Sequence, residues 1–297
     1  MIRKIMTITK NGTNPAYQGA RKGVDRLAIE LGINVQHLVP TVPDSIEEQI
    51  DFLEQLLVSR PDAILLAPAN ISALDATLAK VKAAGIPVIM FVGHTADDFY
   101  VTFVGSDDHA MTRDVARALC EDLGGKGKVA IIDGNPLGIN FSDRAKGFRD
   151  GVAEYPGVAL VGTRIGNFLR QPANEAMHSL LDEHVDIDGV LVANDFMSLG
   201  VIDALKERNI NAKIGSVNAT PDGISGIKNG DIVATAGFNA MAMGCLALLA
   251  ALKHLDGEPT LKRIIIPAEI VNRNNFIEWD LPYEQRPIPS WTEMVAS

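Results

Sequence analysis

Between Asn194 and Gly200 the chain reads Asn-Asp-Phe-Met-Ser-Leu-Gly, directly after the apolar run Gly189-Val190-Leu191-Val192-Ala193. These residue types predict a buried strand that ends in polar side chains, with a helix opening at once. In an open parallel α/β sheet, that strand end is where ligands bind. An amide and a carboxylate placed there can hold a small polar molecule without transforming it.

Residues that could carry catalysis are scattered. The six histidines (His37, His94, His109, His178, His184 and His254) form no His-x-x-x-His pair, which leaves a zinc site with little support. No Gly-x-Gly-x-x-Gly follows the first strand run, and Gly124-Gly125-Lys126-Gly127-Lys128 precedes a strand without phosphate-loop spacing. A Gly-x-Ser-x-Gly elbow is missing as well. Asp107 and Asp108 are adjacent at a helix start and so do not face one another. Cys120 and Cys245 fall in helix-patterned segments, where free thiols are read as structural. The expectation is a protein that is not an enzyme and calls for neither cofactor nor metal.

The elements that must position the polar strand ends are strands alternating with amphipathic helices. Candidate strands are 4–9, 34–38, 63–67, 87–92, 129–133, 159–162, 189–193 and 213–217. Ser45-Ile46-Glu47-Glu48 and Ser72-Ala73-Leu74-Asp75 fit the Ser-x-x-acid pattern of a helix start. Gly32, Gly85 and Gly151 stand where helices should end. Strand and helix at this spacing predict an α/β fold with parallel sheets covered on both faces. The composition agrees, being 47% hydrophobic with only 5% aromatic residues, which is aliphatic α/β usage. A formal net charge of −10 without a dense basic run disfavours nucleic acid, whose phosphates need a basic footprint. No apolar run approaches the roughly 20 residues a membrane-spanning helix requires.

The pattern is also written twice. A shift of 126 positions lays Asp62-Ala63-Ile64-Leu65-Leu66-Ala67 on Asp188-Gly189-Val190-Leu191-Val192-Ala193, Ile5 on Ile131 and Val88 on Ile214. Two similar doubly wound lobes with strand ends facing a common cleft are expected. Passages between them are read near Val104–Asp108, Phe238-Asn239 and Pro267-Ala268-Glu269, forming a multi-strand hinge. The N-terminal lobe is then 1–106 plus 239–267, and the C-terminal lobe 107–238 plus 268–297. The irregular, proline-containing tail from Trp279 to Trp291 is expected to wrap a lobe, with its tryptophans as packing anchors.

In this order and spacing the motifs resemble the type I periplasmic sugar-binding proteins, the ribose-binding protein family, over essentially the whole chain. The resemblance rests on Asn14-Pro15-Ala16-Tyr17 followed by Gly19 and Gly23, on Asp62–Pro68, and on Gly85-Ile86-Pro87-Val88-Ile89. Val104-Gly105-Ser106-Asp107, Gly125–Val129, Arg144–Phe148, Asn194–Gly200 and Thr220-Pro221-Asp222-Gly223 complete it. It implies a receptor that closes on a sugar-like ligand and presents it to an ABC transporter permease, through three crossovers between lobes. A monomer in the periplasm is implied, its leader removed from this sequence. The lactose-repressor family shares this fold, and a ligand-sensing domain of that kind is the alternative, ahead of an α/β enzyme. No DNA-binding segment precedes the first strand here.

Carried over residue by residue, the resemblance points to Asn14, Tyr17, Arg144, Phe168, Asn194, Asn218 and Phe238 as ligand contacts. Ser106, Asp107 and Asn239 fall at the hinge passages. Two departures stand out. Val92-Gly93-His94 occupies a strand end where relatives usually carry an acid, and Asn218 replaces a second acid. Those carboxylates clamp ring hydroxyls through charge-assisted bonds. Their loss points away from ribose and toward a polyol, a deoxy sugar or an acidic sugar derivative. His94 and Lys10 join the candidate contacts, Lys10 because it ends the first strand and could meet a carboxylate.

Overall fold

The computed structural model describes residues 3–288 and 290–292. The chain divides into two compact units. One takes its described residues from Met1–Ser106, Asn239–Ile266 and Pro282–Ser297, the other from Asp107–Phe238 and Pro267–Leu281. Residues 1–2, 289 and 293–297, which belong to the expected lobe ranges, lie outside the described residues.

The first unit runs β1 (Lys4–Ile8), α1 (Pro15–Leu31), β2 (Asn34–Leu38), α2 (Ile46–Ser59), β3 (Ala63–Leu66), α3 (Asp75–Ala83), β4 (Val88–Phe91) and β5 (Thr102–Gly105). The second continues with α4 (Asp108–Asp122), β6 (Lys126–Asp133), α5 (Phe141–Ala153), β7 (Gly157–Ile165) and α6 (Arg170–Glu183). It goes on through β8 (Gly189–Val192), α7 (Asp195–Glu207), β9 (Lys213–Val217), α8 (Pro221–Asn229) and β10 (Ile232–Gly237). Then α9 (Ala240–Leu255) and β11 (Arg263–Ile265) belong to the first unit. The second unit gains β12 (Glu269–Asn272) and a 3-10 turn at Phe276–Trp279.

Each unit builds one six-stranded sheet, ordered β11-β5-β4-β3-β1-β2 and β12-β10-β9-β8-β6-β7. All pairings are parallel except β10 with β12. The five central and inner strands correspond one for one and only the last edge strand differs, β11 running parallel to β5 and β12 antiparallel to β10, so the internal repeat is real. Its register differs from the sequence reading in one place. Ile5 pairs with Ala63 and Val129 with Gly189, so Ile5 corresponds to Val129 and not to Ile131. A two-residue slip keeps every side chain on its own face of a strand, and the apolar pattern cannot register it. The same repeat places an aspartate clip at the amino edge of both sheets. Asp62 accepts from the Lys4 amide at 2.6 Å, and Asp188 accepts from the Lys128 amide at 2.7 Å.

Central strands such as Ala63-Ile64-Leu65-Leu66 are fully buried because helices cover both faces. Helix α1 starts where expected. Asn14 caps it by accepting from the Ala16 amide at 3.0 Å, Pro15 opens it, and Gly32 ends it at φ 66°. Ser45 caps α2 through the Glu48 amide, but the Glu48 carboxylate reaches on to the Thr41 and Val42 amides. Ser72 caps nothing. Asn70 takes the Ser72 and Ala73 amides at 3.0 Å each, so α3 opens only at Asp75.

Gly151 does not end a helix either. It lies inside α5, where a Cβ would stand 2.5 Å from the Arg113 carbonyl of α4. Glycine there permits a close helix crossing. The tail is a further correction, since its described residues from Pro282 belong to the first unit and not the second. Arg26 on α1 donates to the carbonyls of Tyr283 and Arg286 at 2.9 and 2.6 Å, and the Tyr283 ring fills the space left by Gly19. Trp279 stays with the second unit, lying over Gly237 and donating to Glu269 at 3.2 Å. Strands β5, β10, β11 and β12 extend the sequence reading, the last two being short edge strands of three and four residues.

Candidate functional site

In the second unit, the carboxyl ends of β6 to β10 gather Arg144, Phe168, Asn194, Asn218 and Phe238. Arg144 lies in the first turn of α5 and is 4% exposed. Its Nε donates to Asp108 Oδ1 at 2.6 Å, and Nη1 donates to the Ala193 carbonyl at 2.6 Å. Its guanidinium lies 6.0 Å from the centre of the Phe168 ring and 5.2 Å from that of Phe238. Nη2 has no partner among the described residues, so an aligned donor is held between two aromatic rings.

Asp108 is the residue that sequence reasoning missed. Its second oxygen accepts from Asn140 Nδ2 at 2.6 Å. Burial raises its pKa above the ordinary range, against the pull of Arg144 and Asn140. Both oxygens face donors that cannot accept a proton, which keeps the carboxylate as the paired species. The two residues stand 36 positions apart, and nothing local in either segment marks the pair.

Phe168 follows β7 on a left-handed backbone, with Asn167 at φ 54° and Phe168 at φ 59°. Two such non-glycine residues in succession store strain, as binding sites commonly do. The ring lies on Gly134, just past β6, where a Cβ would come within 2.0 Å of its tip. Asn194 is 2% exposed and caps α7 by accepting from the Met197 amide at 2.8 Å, while Nδ2 donates to the Phe168 carbonyl at 3.4 Å. One N–H of its amide remains. Asn218 follows β9 at φ 117° and is 8% exposed, and its Oδ1 is buried without a hydrogen-bond partner. An unsatisfied buried acceptor costs about 1–3 kcal/mol, which a ligand hydroxyl would relieve.

Asp195, beside Asn194, is fully buried and is a structural post, not a contact. It accepts from the Thr220 amide at 2.8 Å, the Thr220 hydroxyl at 3.0 Å and the Thr235 hydroxyl at 2.8 Å. Burial pushes its pKa up to about 6. Its bonds fix the segment Asn218-Ala219-Thr220, and with it the position of Asn218.

The first unit places Lys10, Asn14 and Tyr17 after β1. Lys10 Nζ lies 5.9 Å from the Tyr17 ring centre and 3.7 Å from Asp44 Oδ2. The carboxylate Lys10 meets is therefore one of its own chain. Asn11, unremarked in the sequence, organises this loop by accepting from the Thr13 and Asn14 amides at 2.8 and 2.9 Å. His94, after β4, packs edge-on against Phe103 at 4.6 Å, and Nδ1 bonds the Thr95 carbonyl at 2.7 Å. Strand β3 separates β4, which His94 follows, from β1, which precedes the Lys10 loop.

At the unit boundaries, Asp107 caps α4 through the Ala110 amide at 2.9 Å. Asn239, at φ 47°, caps α9 through the Ala242 amide at 3.2 Å. Ser106 is the last residue of the first segment and is 9% exposed. Among the described residues, no group of three or more His, Cys, Asp or Glu could hold a metal ion, and no helix is long and apolar enough to cross a membrane.

Two six-stranded α/β units, repeated over their five inner strands with polar and aromatic residues at the carboxyl edges, define a class of two-unit binding protein. Residues 5–259 match the family model of the periplasmic binding protein domain, and the chain belongs to that family. Its relatives include the ribose import binding protein RbsB of Bacillus subtilis (strain 168), 27% identical over 86% of this chain and 83% of that one. The D-ribose/D-allose-binding protein of Pseudomonas aeruginosa is 31% identical over 71% and 68%. The xylitol-binding protein of Mycolicibacterium smegmatis is 27% identical over 75% and 63%. Among solved structures, an ABC transporter periplasmic solute binding protein from Actinobacillus succinogenes 130z with bound D-allose shares the fold at TM-score 0.88. It is 24% identical, and the match covers 92% of this chain and 98% of that one.

Proposed function

We propose that this protein is the solute-binding receptor of an ABC importer, taking up a sugar or a sugar-like polyol. The observation that carries the reading is the cluster at the carboxyl edge of the second sheet. A buried arginine donor between two aromatic rings lies in the same edge as an amide acceptor, Asn218 Oδ1, that lacks a donor. Hydroxyl-rich solutes with apolar CH patches match those groups, since aromatic faces take the CH patches and planar polar groups take the hydroxyls. Family membership supports it, as do relatives named for ribose, allose and xylitol.

In this reading Asn14 and Tyr17 of the first unit join Arg144, Asn194 and Asn218 on one ligand, with Ser106, Asp107 and Asn239 at the passages that let the units close on it. Contacts made only in the closed state select that state. The receptor works outside the cytoplasm as a monomer beside a membrane permease, with no nucleic acid partner and no turnover of the ligand.

A thermal-shift screen against aldoses, polyols, deoxy sugars, amino sugars and sugar acids tests the proposal. One chemotype should raise the melting temperature in a dose-dependent way, with a Kd near micromolar or tighter, about −8 kcal/mol. A broad panel that shifts nothing, with no solute co-purifying, would sink it.

A further inference from the structure

We infer that Asp195 positions Asn218 for the ligand only while it is a carboxylate, so that solute binding is linked to the release of a proton. This deepens the receptor reading above and rests on it.

The argument starts from the backbone that carries Asn218. Asn218 and Ala219 stand at φ 117° and 46°, two successive non-glycine residues in the left-handed region. Such a conformation persists only where its surroundings over-determine it. Hydrogen bonds that all run one way supply that constraint. The Ala219 amide donates to Thr235 Oγ1 at 3.2 Å, and the Thr235 hydroxyl donates in turn to Asp195 Oδ1 at 2.8 Å. The Gly223 amide donates to Thr220 Oγ1 at 3.2 Å, and the Thr220 hydroxyl donates to Asp195 Oδ2 at 3.0 Å. The Thr220 amide reaches Oδ2 directly at 2.8 Å. Two relays and one direct bond end on a single side chain, and each needs it to accept.

A proton on Asp195 breaks this order. On Oδ1 it has to be donated to Thr235 Oγ1, and on Oδ2 to Thr220 Oγ1. Each of those oxygens already accepts from an amide, and its own hydrogen then loses its acceptor. Both threonines are buried, so the stranded hydrogen keeps the penalty of an unmade bond. Rotating either threonine to escape that penalty releases the Ala219 or the Gly223 amide, on one side of Asn218 or at the start of α8. The acceptor offered to the ligand, Asn218 Oδ1, then loses its fixed place.

No counter-charge holds Asp195 in one state. The cations of the elements packed around it, Lys206, Lys213 and Lys228, pair with Asp231, Asp122 and Asp280. On its own helix Asp203 and Glu207 pair with Arg170 and His178, and Asp222 of α8 forms no bond with it. Burial pushes its pKa up to about 6 against the pull of Ser216, Thr220 and Thr235, so both states lie within ordinary pH. Stability and affinity should then respond to pH in opposite senses. Folding gains from the neutral acid as the pH falls, whereas binding needs the carboxylate and weakens. With about one tenth of the protein ionised at pH 5, the apparent Kd should rise about tenfold over its value at pH 7.5.

NMR of the ligand-free wild type between pH 4.5 and 8 reads the network without any substitution. The Asn218, Ala219 and Thr220 amide signals should shift together with a midpoint near 6 and lose exchange protection on the acid side. In D195N they should not titrate. Flat wild-type signals overturn the inference, whatever the protein binds. Calorimetry with D-ribose, D-allose, xylitol and any hit of the wider screen, in buffers of different ionisation enthalpy, reads the linkage. The tightest solute should bind about tenfold more weakly at pH 5 than at 7.5, and release about half a proton at pH 6. D195N should bind it at the weaker level at both pH values and release none. Equal wild-type affinity at the two pH values, or the same pH dependence in D195N, overturns the inference while the receptor reading stands. If no solute binds at either pH, the receptor reading falls and the linkage with it.

Discussion

Arg144 shows how one side chain can serve two ends. Its Nε and Nη1 are spent on Asp108 and the Ala193 carbonyl, which fixes the plane of the guanidinium, and under the proposed function Nη2 is the donor offered to the ligand. R144A removes the partner of a buried carboxylate, and breaking a buried pair from one side costs about 3–5 kcal/mol. Chemical denaturation should report that loss, and calorimetry a loss of ligand binding. R144K keeps the charge without the planar fork. It should regain much of the stability while binding remains at least tenfold weaker; full recovery of affinity would show that geometry at Arg144 is unimportant.

Asp195 makes a separate prediction at this scale. Its folded pKa of about 6 lies above the ordinary 3.8 because burial disfavours the charge. Its contribution to stability is therefore full below pH 4 and is lost as the pH rises through 6. Melting curves of the wild type and D195N between pH 4 and 8 should differ in slope across that window, the wild type losing more with rising pH. Parallel curves would remove Asp195 as the source.

At the scale of elements, glycines decide how closely pieces approach. Gly134 carries the Phe168 ring, and a Cβ there would come within 2.0 Å of it. G134A should displace the ring and weaken ligand binding at least tenfold while the far edge of the sheet stays intact, which amide exchange can map. In the first unit, α1 and α9 meet through Gly23 and Gly244. A Cβ on either would stand 2.2 Å from a facing carbonyl, that of Met241 or Ala20. G23A should cost about 1–3 kcal/mol by overpacking, measured by denaturation. Such glycines were visible in the sequence, but their tasks were not. Gly32 and Gly85 follow helix ends, whereas Gly151 is inside one, against α4. Without the neighbouring helix, the three look alike.

For the whole molecule, the expectation concerns linkage. A solute that binds only the folded protein stabilises it by about 2.7 kcal/mol at a hundred times its Kd. Under the proposed function that gain needs residues of both units. N14A in the first and N218A in the second should each weaken the same ligand by at least tenfold, seen in calorimetry. If N14A leaves affinity unchanged, the ligand belongs to the second unit alone.

The sequence by itself determined the alternation of strand and helix, the doubled unit, the helix cap at Ser45, and the residue types at the strand ends. Each is a local property: burial on both faces, a capping oxygen or a strand terminus leaves its mark within a few residues. Tertiary structure alone decided the rest. It matched Asp108 to Arg144 and Asp44 to Lys10, gave each sheet its own register so that Ile5 pairs with Ala63 and Val129 with Gly189, laid Phe168 on Gly134, and put the tail on α1. These outcomes depend on distances between segments far apart in the chain. A charge is compensated, or a Cβ excluded, only by what folding brings beside it.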